Sequence, residues 1–269
     1  MPSSDPPQPV PLRVGSVPYL VARPLNLGLE LEPGIELTFD VPAKLSTALR
    51  ADELDVALVS SIELFRHPGA TYLPGLGVCG AGYVGSVQLF LHKPLAEVQS
   101  VALDPASRTS QALLQVLAAE DPELSSELTF HEVPLGVDPR TNPIALGQPA
   151  DAFLRIGDRA LAEHLGERLP HYNLSAAWAR LTGLPFVFAA WIARPGIDLE
   201  SHRATFEAAA ARGLAAAPEL AARAAARLKL DPEAVHHYLT QEIQHRMAPA
   251  RQAEALVAFR ERAHRANLV

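Results

Sequence analysis

Cysteine is almost absent from this chain of 269 residues, in which Cys79 stands alone. One cysteine can form neither an internal disulfide nor a cysteine-rich metal cage, and this composition fits a reducing compartment. The zinc motif H-E-x-x-H, the Walker motif and the nucleophile elbow are also missing from the sequence. The neighbouring His236 and His237 would point about a third of a turn apart on a helix, which makes them a poor metal pair. We therefore expect no metal site.

Positive charge is scarce as well. The chain has 23 Lys and Arg against 30 Asp and Glu, a net charge of −7, and no basic block. Nucleic acid and anionic membranes are therefore poor partners. No apolar run is long enough to cross a bilayer, and the Pro-rich residues 1–11 lack the pattern of a secretory signal. We expect residues 1–11 to be a disordered leader and the protein to be cytoplasmic.

Three places combine a strand, a turn rich in hydroxyls or glycine, and the start of a helix. The turns contain Ser60 and Ser61; Ser107, Thr109 and Ser110; and Gly157. The first turn of a helix has unpaired N–H groups and a partial positive charge. Hydroxyls at this position either cap the helix or hold an anion, and for residues 104–120 both interpretations remain open.

The alternation of strands and helices predicts an α/β fold with largely parallel sheets and an all-helical C-terminal third packed back on the first strands. Ligands of such folds bind beyond the carboxyl ends of the strands, where all three turns lie. Residues 75–80 match G-x-G-x-x-G, but Pro74 precedes them and a strand-like segment follows. The dinucleotide fingerprint needs a strand before it and a helix after it, so we expect a strand with close-packing glycines instead.

Single side chains near the predicted cleft leave alternatives open. Arg108 could pair with a ligand carboxylate or lie exposed at its helix start, and Arg155 could face either side of its strand. Tyr19 could line the cleft or cap the core. His131 is the only histidine that the sequence places near the cleft, and we expect it to have a surface or structural role.

Six segments together resemble one protein family. They are SVPYL with Pro24 and Leu25 (residues 16–25), LDVALVSSIE (54–63), GSVQLF (85–90), SRTS (107–110), residues 151–161, and LTGLPFVF (181–188). The family is chorismate dehydratase of the futalosine route to menaquinone. This resemblance implies conversion of chorismate, a small dicarboxylate, to 3-[(1-carboxyvinyl)oxy]benzoate and water, without a metal or organic cofactor.

The resemblance also implies a type II periplasmic-binding-protein-like fold with two lobes, parallel or mixed sheets and a helical C-terminal third. Residues 12–88 and 188–269 would form the first lobe, and residues 89–187 the second. The family commonly has Asn after its Tyr-Leu, where this chain has Val21, so no hydrogen bond is carried over at that position.

We expect Ser86 to be catalytic, as a hydrogen-bond donor at the crossover between lobes. The expected substrate-binding residues are Tyr19, Ser60, Ser61, Ser107, Arg108, Thr109, Ser110, Ile156 and Gly157. No His or Glu stands ready as a base, and our hypothesis is that the enolpyruvyl carboxylate of the substrate takes the proton.

Two other functions remain open at this point. The related 1,4-dihydroxy-6-naphthoate synthase has the same fold, but it usually carries a His where this chain has Gly157. A non-catalytic cytoplasmic binding protein for a small carboxylate would also use this fold, since a fold by itself implies only a cleft. The oligomeric state cannot be predicted from the sequence.

Overall fold

The computed structural model describes residues 10–145 and 147–269 and has α/β architecture, as predicted. Residues 1–9 of the predicted leader lie outside the described residues. The strands are β1 (Leu12–Ser16), β2 (Ile35–Phe39), β3 (Val56–Ser60), β4 (Thr71–Gly80), β5 (Val87–Leu91), β6 (Ser100–Leu103), β7 (Thr129–Glu132), β8 (Pro143–Ala145), β9 (Gln148–Pro149), β10 (Ala152–Ile156), β11 (His171–Asn173), β12 (Phe186–Ala193) and β13 (Ile243–Arg246). The α-helices are α1 (Arg23–Asn26), α2 (Pro42–Arg50), α3 (Glu63–Arg66), α4 (Arg108–Glu120), α5 (Gly157–Ala162), α6 (Leu174–Thr182), α7 (Arg203–Ala215), α8 (Ala217–Leu228), α9 (Pro232–His237) and α10 (Pro249–Arg265).

Two mixed sheets form the framework. The first has the strand order β13-β4-β12-β3-β1-β2, and the second has the order β11-β5-β10-β6-β7. Strand β1 runs parallel to β2 and β3, and β6 runs parallel to β7 and β10. The remaining pairs of both sheets are antiparallel, because β12 and β13 in the first sheet and β5 in the second run opposite to the other strands of their sheets.

The chain passes from one sheet to the other twice. It leaves the first sheet after β4 and enters the second at β5, and it returns between β11 and β12 through α6. The lobe boundaries after residues 88 and 187 stay a prediction; each falls two residues inside a strand, β5 or β12.

The C-terminal third differs from the prediction in one respect. Helices α7 and α10 pack against the first sheet or its helix α1, as expected. However, Ile243–Arg246 forms the edge strand β13, so the C-terminal third is not entirely helical. Ile243 and His245 are buried while Gln244 and Arg246 are exposed, and this alternation is the pattern of a strand covered on one face. Among the described helices, none combines the length and apolar composition needed for a bilayer crossing.

Two further segments refine the expected organisation. The segment between β7 and β10 contains a small hairpin of β8 and β9. The glycine-rich segment at residues 75–80 lies in β4, as predicted, and is not followed by a helix. A Cβ atom on Gly77 would lie 2.8 Å from the carbonyl oxygen of Ala189 in β12, so this glycine permits the close approach of two strands.

Asp55 ties three neighbouring strands together at the start of β3. Its carboxylate accepts hydrogen bonds from Arg13 in β1 and from Arg194, which follows β12. The Arg13 Nη2 to Asp55 Oδ1 distance is 2.7 Å, and the Arg194 Nη2 to Asp55 Oδ1 distance is 2.9 Å. The hydrogen bonds from Arg13, followed by that from Arg194, lower the pKa of Asp55 from 3.8 to about 2.

We expect Asp55→Asn to destabilise the protein in a pH-dependent way. Because the folded-state pKa lies below that of the unfolded chain, the carboxylate stabilises the fold above pH 3.8 and loses this effect as the pH falls towards 2. Thermal unfolding followed by circular dichroism should show a lower Tm for the variant at pH 7 and convergence with the parent at low pH. Asp52→Asn, at an exposed neighbouring carboxylate, is the control. A Tm difference that does not change with pH would contradict this role.

Candidate active site

A cavity lies between the carboxyl ends of β1 and β3 in the first sheet and those of β6 and β10 in the second. The space between its walls is about 600 Å³, including the part open to solvent. Most lining side chains are apolar, among them Val17, Leu58, Val84 and Phe188. Seven predicted site residues line it: Tyr19, Ser60, Ser86, Ser107, Ser110, Ile156 and Gly157. An apolar pocket with a few oriented polar groups is the usual form of a small-molecule site.

Ser86 lies in the segment that joins β4 to β5, and its backbone and side chain are both held. The N–H of Gly157 donates to the carbonyl oxygen of Ser86 over 2.8 Å. The hydroxyl of Tyr238 donates to Ser86 Oγ, also over 2.8 Å. Tyr238 could not be identified from the sequence, because an aromatic residue in an Ala-rich helical segment is typical of a core position.

The start of α4 shows which of its hydroxyls is a cap. Ser107 Oγ accepts from the backbone N–H of Ser110 over 3.2 Å, so Ser107 is the N-cap. Ser107 also donates its own proton to Ser110 Oγ over 2.9 Å. Since Ser110 Oγ accepts this bond, its hydrogen can point towards a ligand. The capping and ligand-binding interpretations of this turn are therefore compatible.

Three predicted site residues, Ser61, Arg108 and Thr109, do not line the cavity and lie instead where α4 meets the turn between β3 and α3. Thr109 Oγ1 accepts from the backbone N–H of Ile62 over 3.2 Å. Ser61 donates to the carbonyl oxygen of Val187 over 2.6 Å, and its hydroxyl lies 3.5 Å from that of Thr109. These contacts hold the start of α4 against the turn between β3 and α3.

Arg108 faces a carboxylate of the protein and does not reach the cavity wall. Its Nη1 lies 3.3 Å from Oε1 of the buried Glu63, whose other oxygen is 2.6 Å from Arg50 Nη1. The Arg108 side chain is 34% exposed and its guanidinium is held in this ion pair, so a role in substrate binding stays a prediction.

Tyr19 brings the first sheet to the start of α5. Gly157 has a φ of +69°, and a Cβ atom there would lie 3.7 Å from the Tyr19 ring. The carboxylate of Asp158 accepts from the N–H of Leu20 over 3.0 Å, which fixes the Tyr19 segment. Burial, followed by the nearby carboxylates of Asp104 and Asp158, raises the pKa of Tyr19 to about 12. Its phenol therefore stays protonated at neutral pH.

The described lining residues include no carboxylate, histidine, lysine or arginine, so Tyr19 is the ionisable group among them. His131 lies in the edge strand β7 and is not part of the wall. His245 is buried and does not line the cavity, and its Nε2 donates to the carbonyl oxygen of the wall residue Val21 over 2.8 Å. Arg155 is buried and paired with Glu163 and Asp138. In the described parts of the chain, no three His, Cys, Asp or Glu side chains are grouped as metal ligands.

Comparison with known sequences gives a consistent family. Residues 12–265 match the protein family described as menaquinone biosynthesis. The chain is 32% identical over 253 residues to the chorismate dehydratase of Thermus thermophilus, which covers 85% of this chain and 87% of the relative. It is 30% identical over 182 residues to the chorismate dehydratase of Campylobacter jejuni, covering 65% and 64% of the two chains.

Solved structures confirm the predicted fold class. A protein of Archaeoglobus fulgidus superposes with a TM-score of 0.74 at 17% identity, covering 97% of this chain and all of the other. The alkanesulfonate-binding protein of Xanthomonas axonopodis superposes with a TM-score of 0.68 at 15% identity, covering 98% and 95%. A Candida albicans protein described as having the generic periplasmic-binding-protein fold superposes with a TM-score of 0.61 at 12% identity, covering 96% of this chain and 90% of the other. At these identities the likeness concerns the fold alone.

We expect Thr109→Val to lower the free energy of unfolding by about 1–3 kcal/mol, because the buried N–H of Ile62 loses its acceptor while the side-chain shape is kept. Urea denaturation at pH 7 measures this change. Thr47→Val, at an exposed threonine of α2, is the matched control and should stay within about 0.5 kcal/mol of the parent. Equal stability of the two variants would show that the hydrogen bond between Thr109 and Ile62 does not stabilise the fold.

Proposed function

The chain belongs to the chorismate dehydratase family of menaquinone biosynthesis, and we propose that it eliminates water from chorismate to give 3-[(1-carboxyvinyl)oxy]benzoate. The observation that carries the mechanism is the character of the cavity wall. Four serine hydroxyls and one neutral phenol face an apolar space, and the described lining residues offer no basic side chain. Such a wall can orient a substrate and exclude water, but it cannot itself remove a proton.

Chorismate has two carboxylates, and two parts of the cavity suit them. The first turn of α4 combines its partial positive charge with the hydroxyl of Ser110, and we propose that it holds the ring carboxylate. The enolpyruvyl carboxylate would lie near Ser86, which also lines the cavity. Ser60 and Tyr19 supply hydroxyl donors from the first sheet. A dianion would thus be held by hydroxyls and a helix start.

The elimination needs a base for the ring carbon that carries the ether. The proton on this carbon is acidified through the ring diene and the ring carboxylate. We propose that the enolpyruvyl carboxylate accepts it, that the C–H electron pair completes the aromatic ring, and that the C–O bond to the ring hydroxyl breaks. The departing hydroxide takes up a proton, ultimately the one removed from the ring, and leaves as water. Tyr19 is not the base, because its raised pKa of about 12 keeps it protonated.

Ser86 would act as an oriented hydrogen-bond donor to the departing hydroxyl or to the carboxylate that takes the proton. The pKa of a serine hydroxyl is so high that it stays protonated unless a partner base takes its proton, and a protonated hydroxyl cannot remove the ring proton. Its donor bond gains strength in a site from which water is excluded. The aromaticity of the product makes the reaction strongly downhill, so positioning is the main task of the protein.

The cytoplasm is the compartment that we propose. This proposal is supported by the relatives, which are biosynthetic enzymes, and by Cys79, the single cysteine, which is buried and cannot form a disulfide within the chain.

Ser86→Ala should separate turnover from binding. Purified protein treated with a chelator is incubated with chorismate, and the aromatic product is followed by liquid chromatography and mass spectrometry. The parent should form the product, while Ser86→Ala should lose about 10²–10³-fold in kcat, keep its Tm and still bind the product, more weakly by about the 1.5–3 kcal/mol of one hydrogen bond to a charged group. Ser125→Ala, at an exposed serine outside the cavity, is the control.

Two outcomes would contradict the proposal. A parent protein that binds chorismate without converting it would be a small-carboxylate-binding protein of the same fold. A Ser86→Ala variant with the turnover of the parent would leave Ser86 with only a packing role in the crossover.

A further inference from the structure

We propose that Tyr238 is a positioning residue, which fixes Ser86 as a hydrogen-bond donor towards the substrate. This inference rests on the proposed dehydratase function and adds a residue from the far end of the chain to it. The two residues are 152 positions apart, and the hydrogen bond between them is buried.

The geometry joins two contacts made by one turn. Tyr238 and Glu242 are the first and last residues of a π-helical turn that follows α9. Tyr238 donates to Ser86 Oγ over 2.8 Å, and Oε2 of Glu242 accepts from the N–H of Gly85 over 2.7 Å. Two consecutive residues of the crossover segment are therefore held by one π-helical turn, a feature that often occurs at functional sites.

The direction of the bond decides what Ser86 can do. A serine hydroxyl has one hydrogen to donate and two lone pairs to accept with. Because the phenol hydrogen occupies one lone pair of Ser86 Oγ, the hydrogen of Ser86 is directed away from Tyr238. Ser86 lines the cavity, so this hydrogen can reach a ligand there. A donor that itself accepts a hydrogen bond is polarised and becomes a stronger donor.

The surroundings of Tyr238 maintain this arrangement. The side chain is only 2% exposed, and burial raises its pKa, so it stays a protonated donor. The segment that it contacts has little freedom. A Cβ atom on Gly85 would lie 3.0 Å from His164 Cδ2 and 3.2 Å from Glu242 Oε2, and the Gly157 N–H binds the carbonyl oxygen of Ser86.

A double-mutant cycle tests whether Tyr238 acts through Ser86. We expect Tyr238→Phe to lower kcat for chorismate about tenfold, the size of one neutral hydrogen bond, with KM near that of the parent. In the Ser86→Ala background the same change should have no further effect on kcat, because the hydroxyl that it orients is gone. Tyr172→Phe is the matched control, since it removes another buried tyrosine hydroxyl, whose partner is Asp121.

A packing role for Tyr238 predicts a different result. Tyr238→Phe would then keep the kcat of the parent, or would lower it equally with and without Ser86, and either outcome overturns the proposal. If Tyr238→Phe does not fold, two variants with 4-aminophenylalanine or 4-methylphenylalanine at position 238 replace it, because the amino group can donate a hydrogen bond to Ser86 and the methyl group cannot. Only the amino variant should retain the kcat of the parent, and equal kcat values for the two variants would also overturn the proposal. A parent protein inactive on chorismate would instead overturn the proposed function itself.

Discussion

The short segment that ends in Gly85 and Ser86 is the constraint on which the rest of the site depends. Only residues 81–86 join β4 of the first sheet to β5 of the second. The end of this segment is bound from two directions, by the N–H of Gly157 at the start of α5 and by Tyr238 and Glu242 of the C-terminal third. The two sheets and the C-terminal helices therefore jointly determine where the Ser86 hydroxyl lies.

The second feature of the site is that Arg108 and Arg155 are paired with carboxylates of the protein and do not line its wall. Arg108 is paired with Glu63, and Arg155 is paired with Glu163 and Asp138. An arginine beside the substrate carboxylate would lower the pKa of that group and make it a weaker base. Hydroxyls and a helix N-terminus hold an anion with fewer formal charges nearby. In our proposal, this leaves the enolpyruvyl carboxylate basic enough to take the ring proton, while the apolar wall keeps water from competing for it.

The parts of the structure that depend on local sequence could be predicted. The buried strand β3, the glycine-containing strand β4 and the cap of α4 follow from hydrophobic pattern, strand packing and N-cap chemistry. Long-range pairings could not be predicted, because the pattern of a single sequence contains no information about which distant side chains meet. Thr109 was indistinguishable from Ser110 by residue type, yet it binds Ile62 in the turn between β3 and α3. The strand β13 was missed because a four-residue edge strand is too short to stand out in a helical segment.

The central claim is that the enolpyruvyl carboxylate lies beside Ser86 in a cavity without a basic side chain. A crystal structure with bound 3-[(1-carboxyvinyl)oxy]benzoate tests this most directly. We predict a hydrogen bond between Ser86 Oγ and the enolpyruvyl carboxylate, with the benzoate carboxylate at the first turn of α4 near Ser110. A product bound in this cavity with its enolpyruvyl carboxylate away from Ser86, paired to an arginine or facing a histidine or carboxylate of the protein, would contradict the account.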